Sequence, residues 1–160
     1  TAPDDSSYPA LMVLDGILGG GMHSKLFQNV REKASLAYYV FSRLEKFKGL
    51  MVISGGIDFT DRDRALDIIL RQVDDIKNGV ITEEEMSAAV KNMETSLKSL
   101  RDNQMNIVDY YLSQTITGTD DSFEELIEKL KVVTVDDVVK TAFKVNLDTI
   151  YFLTGQDSQI

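Results

Sequence analysis

Apolar positions along this chain recur with two periods, and the changes of period mark out its elements. From residue 8 to 18 apolar side chains fall at Leu11, Leu14, Ile17 and Leu18, with Met12 and Val13 beside them. That spacing predicts a short, largely buried helix. Gly19, Gly20 and Gly21 end it, because glycine weakens a helix and tolerates positive φ. A second amphipathic helix is expected over about 23 to 34, with Leu26, Phe27, Val30 and Ala34 as its apolar stripe. Residues 37 to 46 then alternate: Tyr38, Val40 and Leu44 share one face, Tyr39, Phe41 and Arg43 the other. This is a strand pattern, and Phe47-Lys48-Gly49 leads as a hairpin loop into a second strand over 50 to 57, where Gly55 and Gly56 mark a bulge.

Helical periodicity returns after residue 58. Asp61 or Thr60 caps a helix over about 62 to 78 with Ala65, Leu66, Ile69, Val73 and Ile76 inward, and Asn78-Gly79 stops it. Thr82 and Glu85 form a capping box that opens a long helix carrying Met86, Ala89, Val90, Met93, Leu97 and Leu100. After a break at Asp102-Asn103, a helix running to about Thr117 is expected to bury Ile107, Val108, Tyr111 and Leu112. Ser122 and Glu125 make a second capping box, before Phe123, Leu126, Ile127 and Leu130. Thr134 caps a short helix holding Val135, Val138, Val139 and Ala142, and residues 148 to 154, DTIYFLT, predict a last strand. The sum is an α+β fold, a small antiparallel sheet with helices packed on one face. Residues 1–10 read as an incoming linker and 11–160 as one domain.

Composition narrows the function. A chain of 160 residues, 43% hydrophobic and 27% charged, suits one globular domain. A formal charge of −9 argues against nucleic-acid binding and suits a surface that accepts basic peptides. With no cysteine there is no disulfide framework and no thiolate zinc site, which fits a reducing, cytoplasmic setting. No run of about 18 apolar residues offers a membrane span. The chain starts at Thr1 rather than Met, so it reads as a segment of a longer protein whose targeting signals lie elsewhere.

Several features invite chemistry and do not support it. The triple glycine lacks the G-x-x-x-x-G-K-[ST] pattern and has no strand before it, so it reads as a tight turn rather than a phosphate loop. His23 is the only histidine and cannot build a zinc site, which takes three protein ligands and an open position. Glu83, Glu84 and Glu85 in a first helical turn complement the helix dipole. The six methionines are core filler. More promising are Phe27 and Arg31, four residues apart and so roughly 40° from each other on an α-helix. Tyr38 follows Arg31 by seven residues, across a helix-to-strand turn.

The stretch Leu18-Gly19-Gly20-Gly21, Ser24, Leu26-Phe27, Val30-Arg31-Glu32 and Leu36-Ala37-Tyr38 resembles the second-half domain of the M16 metallopeptidases. The shared pattern is a glycine-rich turn, S-x-L-F, three residues, R-E, and a Tyr seven residues after the Arg. M16 peptidases cut peptides with a zinc-bound water held by an H-x-x-E-H motif in the first-half domain, and that motif is absent here. The resemblance implies a non-zinc half with no cofactor of its own, inactive alone, whose partners are a zinc-bearing M16 half or subunit and a peptide substrate. On that resemblance Arg31 would hydrogen-bond substrate carbonyls and Tyr38 would stabilise the oxyanion. Phe27, Gly20 and Gly21 would line the substrate path. The alternative is a non-catalytic subunit acting as an assembly or peptide-binding module. The family domain also has strands and a helix ahead of the point where this chain starts, which implies N-terminal truncation and an open sheet edge. Such an edge invites pairing, by substrate or by a second copy in a sheet-edge homodimer. Lys25 stands where many members have Arg, and Ser35 where many have Gly.

Overall fold

Helix α1 (Tyr8–Gly19) is the hub of the computed structural model, which describes residues 5–155. Pro9 suits its first turn, where an N–H would lack a helical partner anyway. Eight of its 12 residues are buried, Val13 and Ile17 completely. A helix apolar on nearly every side must be surrounded, and α1 touches β1 and four other helices. Residues 8–10 of the expected linker are already helical.

Strands β1 (Ala37–Glu45) and β2 (Leu50–Ile57) form an antiparallel hairpin, with Val40 opposite Gly55 and Leu44 opposite Met51. Gly49 closes the hairpin loop at φ 63°, a conformation that costs other residues. Val40 and Ser42 are buried, while Tyr39, Phe41 and Arg43 face solvent, as alternation predicts. α1 lies directly on the hairpin: a Cβ on Gly19 would come within 2.1 Å of the Ser42 backbone nitrogen. The Ser42 hydroxyl donates to the Asp15 carbonyl at 3.1 Å.

A 3-10 turn (Phe59–Asp61) leads into α2 (Arg62–Lys77), followed by α3 (Glu83–Leu100), α4 (Gln104–Thr117), α5 (Phe123–Lys131) and α6 (Val135–Ala142). The expected boxes cap α3 and α5, and Thr134 with Asp137 builds a third at α6. Leu97, Phe123, Ile127, Leu130, Val138 and Ala142 carry the core from α1 into this layer. The α+β arrangement, a small antiparallel sheet covered by helices on one face, is therefore the one the periodicity predicts.

Two expectations are corrected. Residues 148 to 154 form no strand, and the sheet among the described residues has two strands, not three. Strand propensity needs a partner edge to become a strand, and β1 and β2 pair only with each other here. The segment instead leaves Tyr151 81% and Leu153 79% exposed, with the Phe152 ring 5.4 Å from the Arg62 guanidinium. Helix α4 buries none of its residues: Val108, Tyr111 and Leu112 are exposed. Its other face makes the contacts. The Tyr110 ring stacks 4.1 Å from Phe123, its hydroxyl donates to the Asp121 carbonyl at 3.0 Å, and Lys46 donates to Ser113 Oγ at 2.6 Å.

Candidate functional site

The glycine turn is tied down before it reaches the second helix. Gly20 N–H donates to the Gly16 carbonyl at 3.2 Å, and Asn92 of α3 donates to the Gly20 carbonyl at 3.2 Å. Gly20 itself is exposed and Gly21 half-exposed. Ser24 is fully buried, and its hydroxyl accepts from the Phe27 N–H at 3.4 Å, in the manner of a helix cap.

The segment expected to be an α-helix widens into a π-helix at Phe27–Lys33. Hydrogen bonds spanning five residues take up more chain per turn than the 3.6 residues of an α-helix, so side chains four apart stack more directly. The Arg31 guanidinium accordingly lies 4.8 Å from the centre of the Phe27 ring, in a cation–π contact. The wide turn closes with Leu36 N–H donating to the Val30 carbonyl at 3.0 Å, across Ser35 at φ 54°. Ser35 is the one described non-glycine residue with positive φ. The residue that departs from the family's glycine thus holds the backbone shape a glycine would hold at less cost.

Polar ties anchor the inner side of this π-helix. Lys25, with its side chain 7% exposed, pairs with Glu85 Oε1 at 2.9 Å. The other oxygen of that carboxylate accepts from Thr82 N–H at 2.9 Å, so a single acid serves both the capping box of α3 and the ion pair. Asn29 donates to the buried Gln72 of α2 at 2.6 Å. Val30 and Leu26 are fully buried beneath. The outer side carries Arg31, exposed and without an ion pair among the described residues, and Phe27, half-buried.

Tyr38 leaves the face that period two assigns it. Ala37 pairs with Ile57 and Tyr39 with Gly56, so Tyr38 is an extra residue, a bulge in β1 opposite the glycine-rich end of β2. The bulge forms where Gly56 makes room: a Cβ there would come within 2.5 Å of the Tyr39 ring. Tyr38 is 71% exposed, and its hydroxyl donates to Asp58 Oδ1 at 3.4 Å. Asp58 was not among the residues singled out from sequence. In an antiparallel hairpin the residue just past β2 returns beside the start of β1, so register counting is the signal that would have found it.

Phe27, Arg31 and Tyr38 are thus all held by rigid elements and all reach solvent. A groove floored by Met86, Val90, Val133 and Val135 between α3 and the start of α6 includes none of them. Among the described residues three side-chain polar atoms elsewhere are buried without a partner, Asp15 Oδ1, His23 Nε2 and Thr154 Oγ1. Burial pushes the Asp15 carboxyl above its usual value, opposed in part by the Ser42 hydroxyl. Among the described residues no three or more His, Asp or Glu side chains are grouped to hold a metal, and no helix is long and apolar enough to cross a membrane.

Residues 1–93 match the family model described as the peptidase M16 inactive domain. A Bacillus subtilis protein named "Probable inactive metalloprotease YmfF" is 37% identical over 153 residues, covering 96% of this chain and 36% of the relative. A second protein of that organism, "Uncharacterized zinc protease YmxG", is 30% identical over 131 residues, covering 80% of this chain and 32% of the relative. The chain thus spans about a third of the length of these relatives. Among solved structures, a conserved protein from Enterococcus faecalis V583 superposes with a TM-score of 0.82 at 34% identity, over 88% of this chain and 33% of that one.

Proposed function

The chain belongs to the peptidase M16 inactive-domain family, and on that premise we propose that it is the non-zinc half of a peptide-cleaving M16 assembly. Zinc and the water it activates belong to a separate zinc-bearing half. This half supplies Arg31, Tyr38 and Phe27 to the peptide. The observation that carries the reading is that neither polar group is tied into an ion pair or turned inward among the described residues. Arg31 has no described carboxylate partner, and Tyr38 is 71% exposed with a single long hydrogen bond. A structural Arg–Tyr pair would be expected to sit in ion pairs or to turn its hydroxyl inward.

In this reading the Arg31 guanidinium, held by the Phe27 ring, donates to carbonyl oxygens of an extended peptide. Its planar fork suits such acceptors better than an ammonium would. The Tyr38 hydroxyl donates to the scissile carbonyl oxygen as negative charge builds there. Gly20 and Gly21 offer backbone without side chains where the peptide enters, and an open strand edge of the hairpin offers main-chain pairing. The test is peptide hydrolysis by this chain reconstituted with a zinc-bearing M16 subunit. Tyr38→Phe should lower kcat by about 10²–10³ with KM little changed, and Arg31→Ala should chiefly raise KM. Activity indifferent to both substitutions would overturn the reading.

A second reading, a non-catalytic module that assembles with a zinc-bearing subunit, draws on the exposed apolar stripe of α4 and on the word "inactive" in the name of the YmfF relative. Under it the reconstituted complex forms but hydrolysis ignores Tyr38. The test of Tyr38→Phe separates the two.

A further inference from the structure

We infer that Asp58 is a specificity-determining residue that selects a cationic side chain, Lys or Arg, in the peptide beside Tyr38. The inference rests on the reading that Arg31 and Tyr38 face a peptide.

Asp58 stands between β2 and the 3-10 turn, at a position where an Asp normally caps the next helical element. It does not cap: its side chain makes no bond to the turn, whose Asp61 N–H reaches the Asp58 backbone carbonyl instead, at 3.0 Å. The carboxylate is exposed, and its one described partner is the Tyr38 hydroxyl at 3.4 Å. A carboxylate offers about four acceptor positions, so a single long bond leaves most of that capacity open.

No cation of the described chain pairs with it. Of the three arginines that follow it most closely in sequence, Arg62 pairs with Asp63 at 2.9 Å and lies 5.4 Å from the Phe152 ring, Arg71 pairs with Asp67 at 3.6 Å, and Arg64 makes no ion pair with Asp58. Phe59, the next residue, is 57% exposed, and Tyr38 is 71% exposed. An anion with aromatic surface next to it suits a side chain that is apolar along its stem and positive at its tip. The excess of 26 acidic over 17 basic residues adds attraction at longer range. The contact with Tyr38 also links recognition to the site. A substrate ammonium or guanidinium drawn to Asp58 competes for the carboxylate that holds the phenol, leaving the hydroxyl to turn toward the peptide carbonyl.

The experiment is fluorescence anisotropy of the full chain with two labelled ten-residue peptides that differ only in one central Lys against norleucine. The wild type should bind the Lys peptide about two- to five-fold more tightly, the range of an exposed charge pair, and the preference should shrink in high salt. In Asp58→Asn the ratio should fall to about one, and in Asp58→Lys it should invert. Circular dichroism of each variant reports whether the fold is kept. A Lys preference that survives Asp58→Asn overturns the inference and leaves the Arg31–Tyr38 reading standing. Binding of either peptide that ignores Arg31→Ala and Tyr38→Phe alike, or no binding of either peptide, overturns that reading and this inference with it.

Discussion

The π-helix and α4 are both amphipathic surface helices, yet they sit on the domain in opposite senses. The π-helix turns its apolar side inward, over Leu26 and Val30, and is pinned there by Lys25–Glu85 and Asn29–Gln72. Its outer side shows Arg31, which lies over the Phe27 ring and has no ion pair among the described residues. α4 turns its polar side inward, through Ser113, Gln114 and Thr117, and shows solvent a stripe of Met105, Val108, Leu112 and Ile116 that is 55–64% exposed. The first region is a finished piece of core that presents a few chosen side chains. The second is an apolar face that nothing in the described chain covers, the kind of surface that marks an interaction site. The lesson is that an apolar stripe says a helix will be covered, but not by what.

Paired truncations would break that contrast if it is wrong. Leu26→Ala should cost about 2–5 kcal/mol of unfolding free energy, whereas Leu112→Ala should stay within about 0.5 kcal/mol. Chemical denaturation measures both, and similar losses would mean that α4 is packed in solution. Next in size is the polar anchor. Lys25→Ala strands a carboxylate that also caps α3, and because Glu85 keeps 20% of its side chain exposed the loss should be about 1–3 kcal/mol, below that of a wholly buried pair. A neutral outcome would show that the π-helix is held by its apolar contacts alone.

Ser35→Gly should go the other way. The left-handed conformation costs a side chain about 1–2 kcal/mol, and glycine returns part of that as unfolded-state entropy, so a net gain of about 0.5–1 kcal/mol is expected. A destabilised variant would mean that the Ser35 side chain makes a contribution its geometry does not reveal. The smallest effect concerns Asp15 of α1. Its folded-state pKa is raised by burial, so its contribution is fully present below the unfolded value near 3.8 and is lost as pH rises through the folded value. Asp15→Asn should therefore gain on the wild type in melting temperature as pH climbs out of the acid range, and converge with it at low pH. Taking the difference between the two proteins removes the opposite trend of Glu125 and Asp137, whose carboxyls are held low by hydrogen bonds from Ser122 and Thr134.

How far the fold could be read from residues differs from element to element. α1, the hairpin and the box-capped helices were legible because each rests on local signals: period, glycine, and a Ser or Thr three residues before an acid. Phe27, Arg31 and Tyr38 were legible as candidates through the family pattern, and the structure leaves all three facing solvent. What could not be read was their setting. The π-turn that stacks Arg31 on Phe27, the bulge that turns Tyr38 out of its strand face, and the return of Asp58 beside that hydroxyl all depend on how turns close and how two strands register.

The same division holds for the whole molecule. Sequence by itself determined which segments are helices, that 37–46 and 50–57 pair as a hairpin, where most elements start, which residues of α1 must be surrounded, and which family the chain joins. Those properties follow from side-chain volume, backbone freedom and local hydrogen bonds, which act within a few residues. Only the tertiary structure decided that DTIYFLT stays irregular, that α4 faces outward with its apolar side, and that Glu85 serves two partners. A strand needs an edge, a stripe needs a cover and a buried cation needs an anion, and each of those partners is placed by parts of the chain far away in sequence.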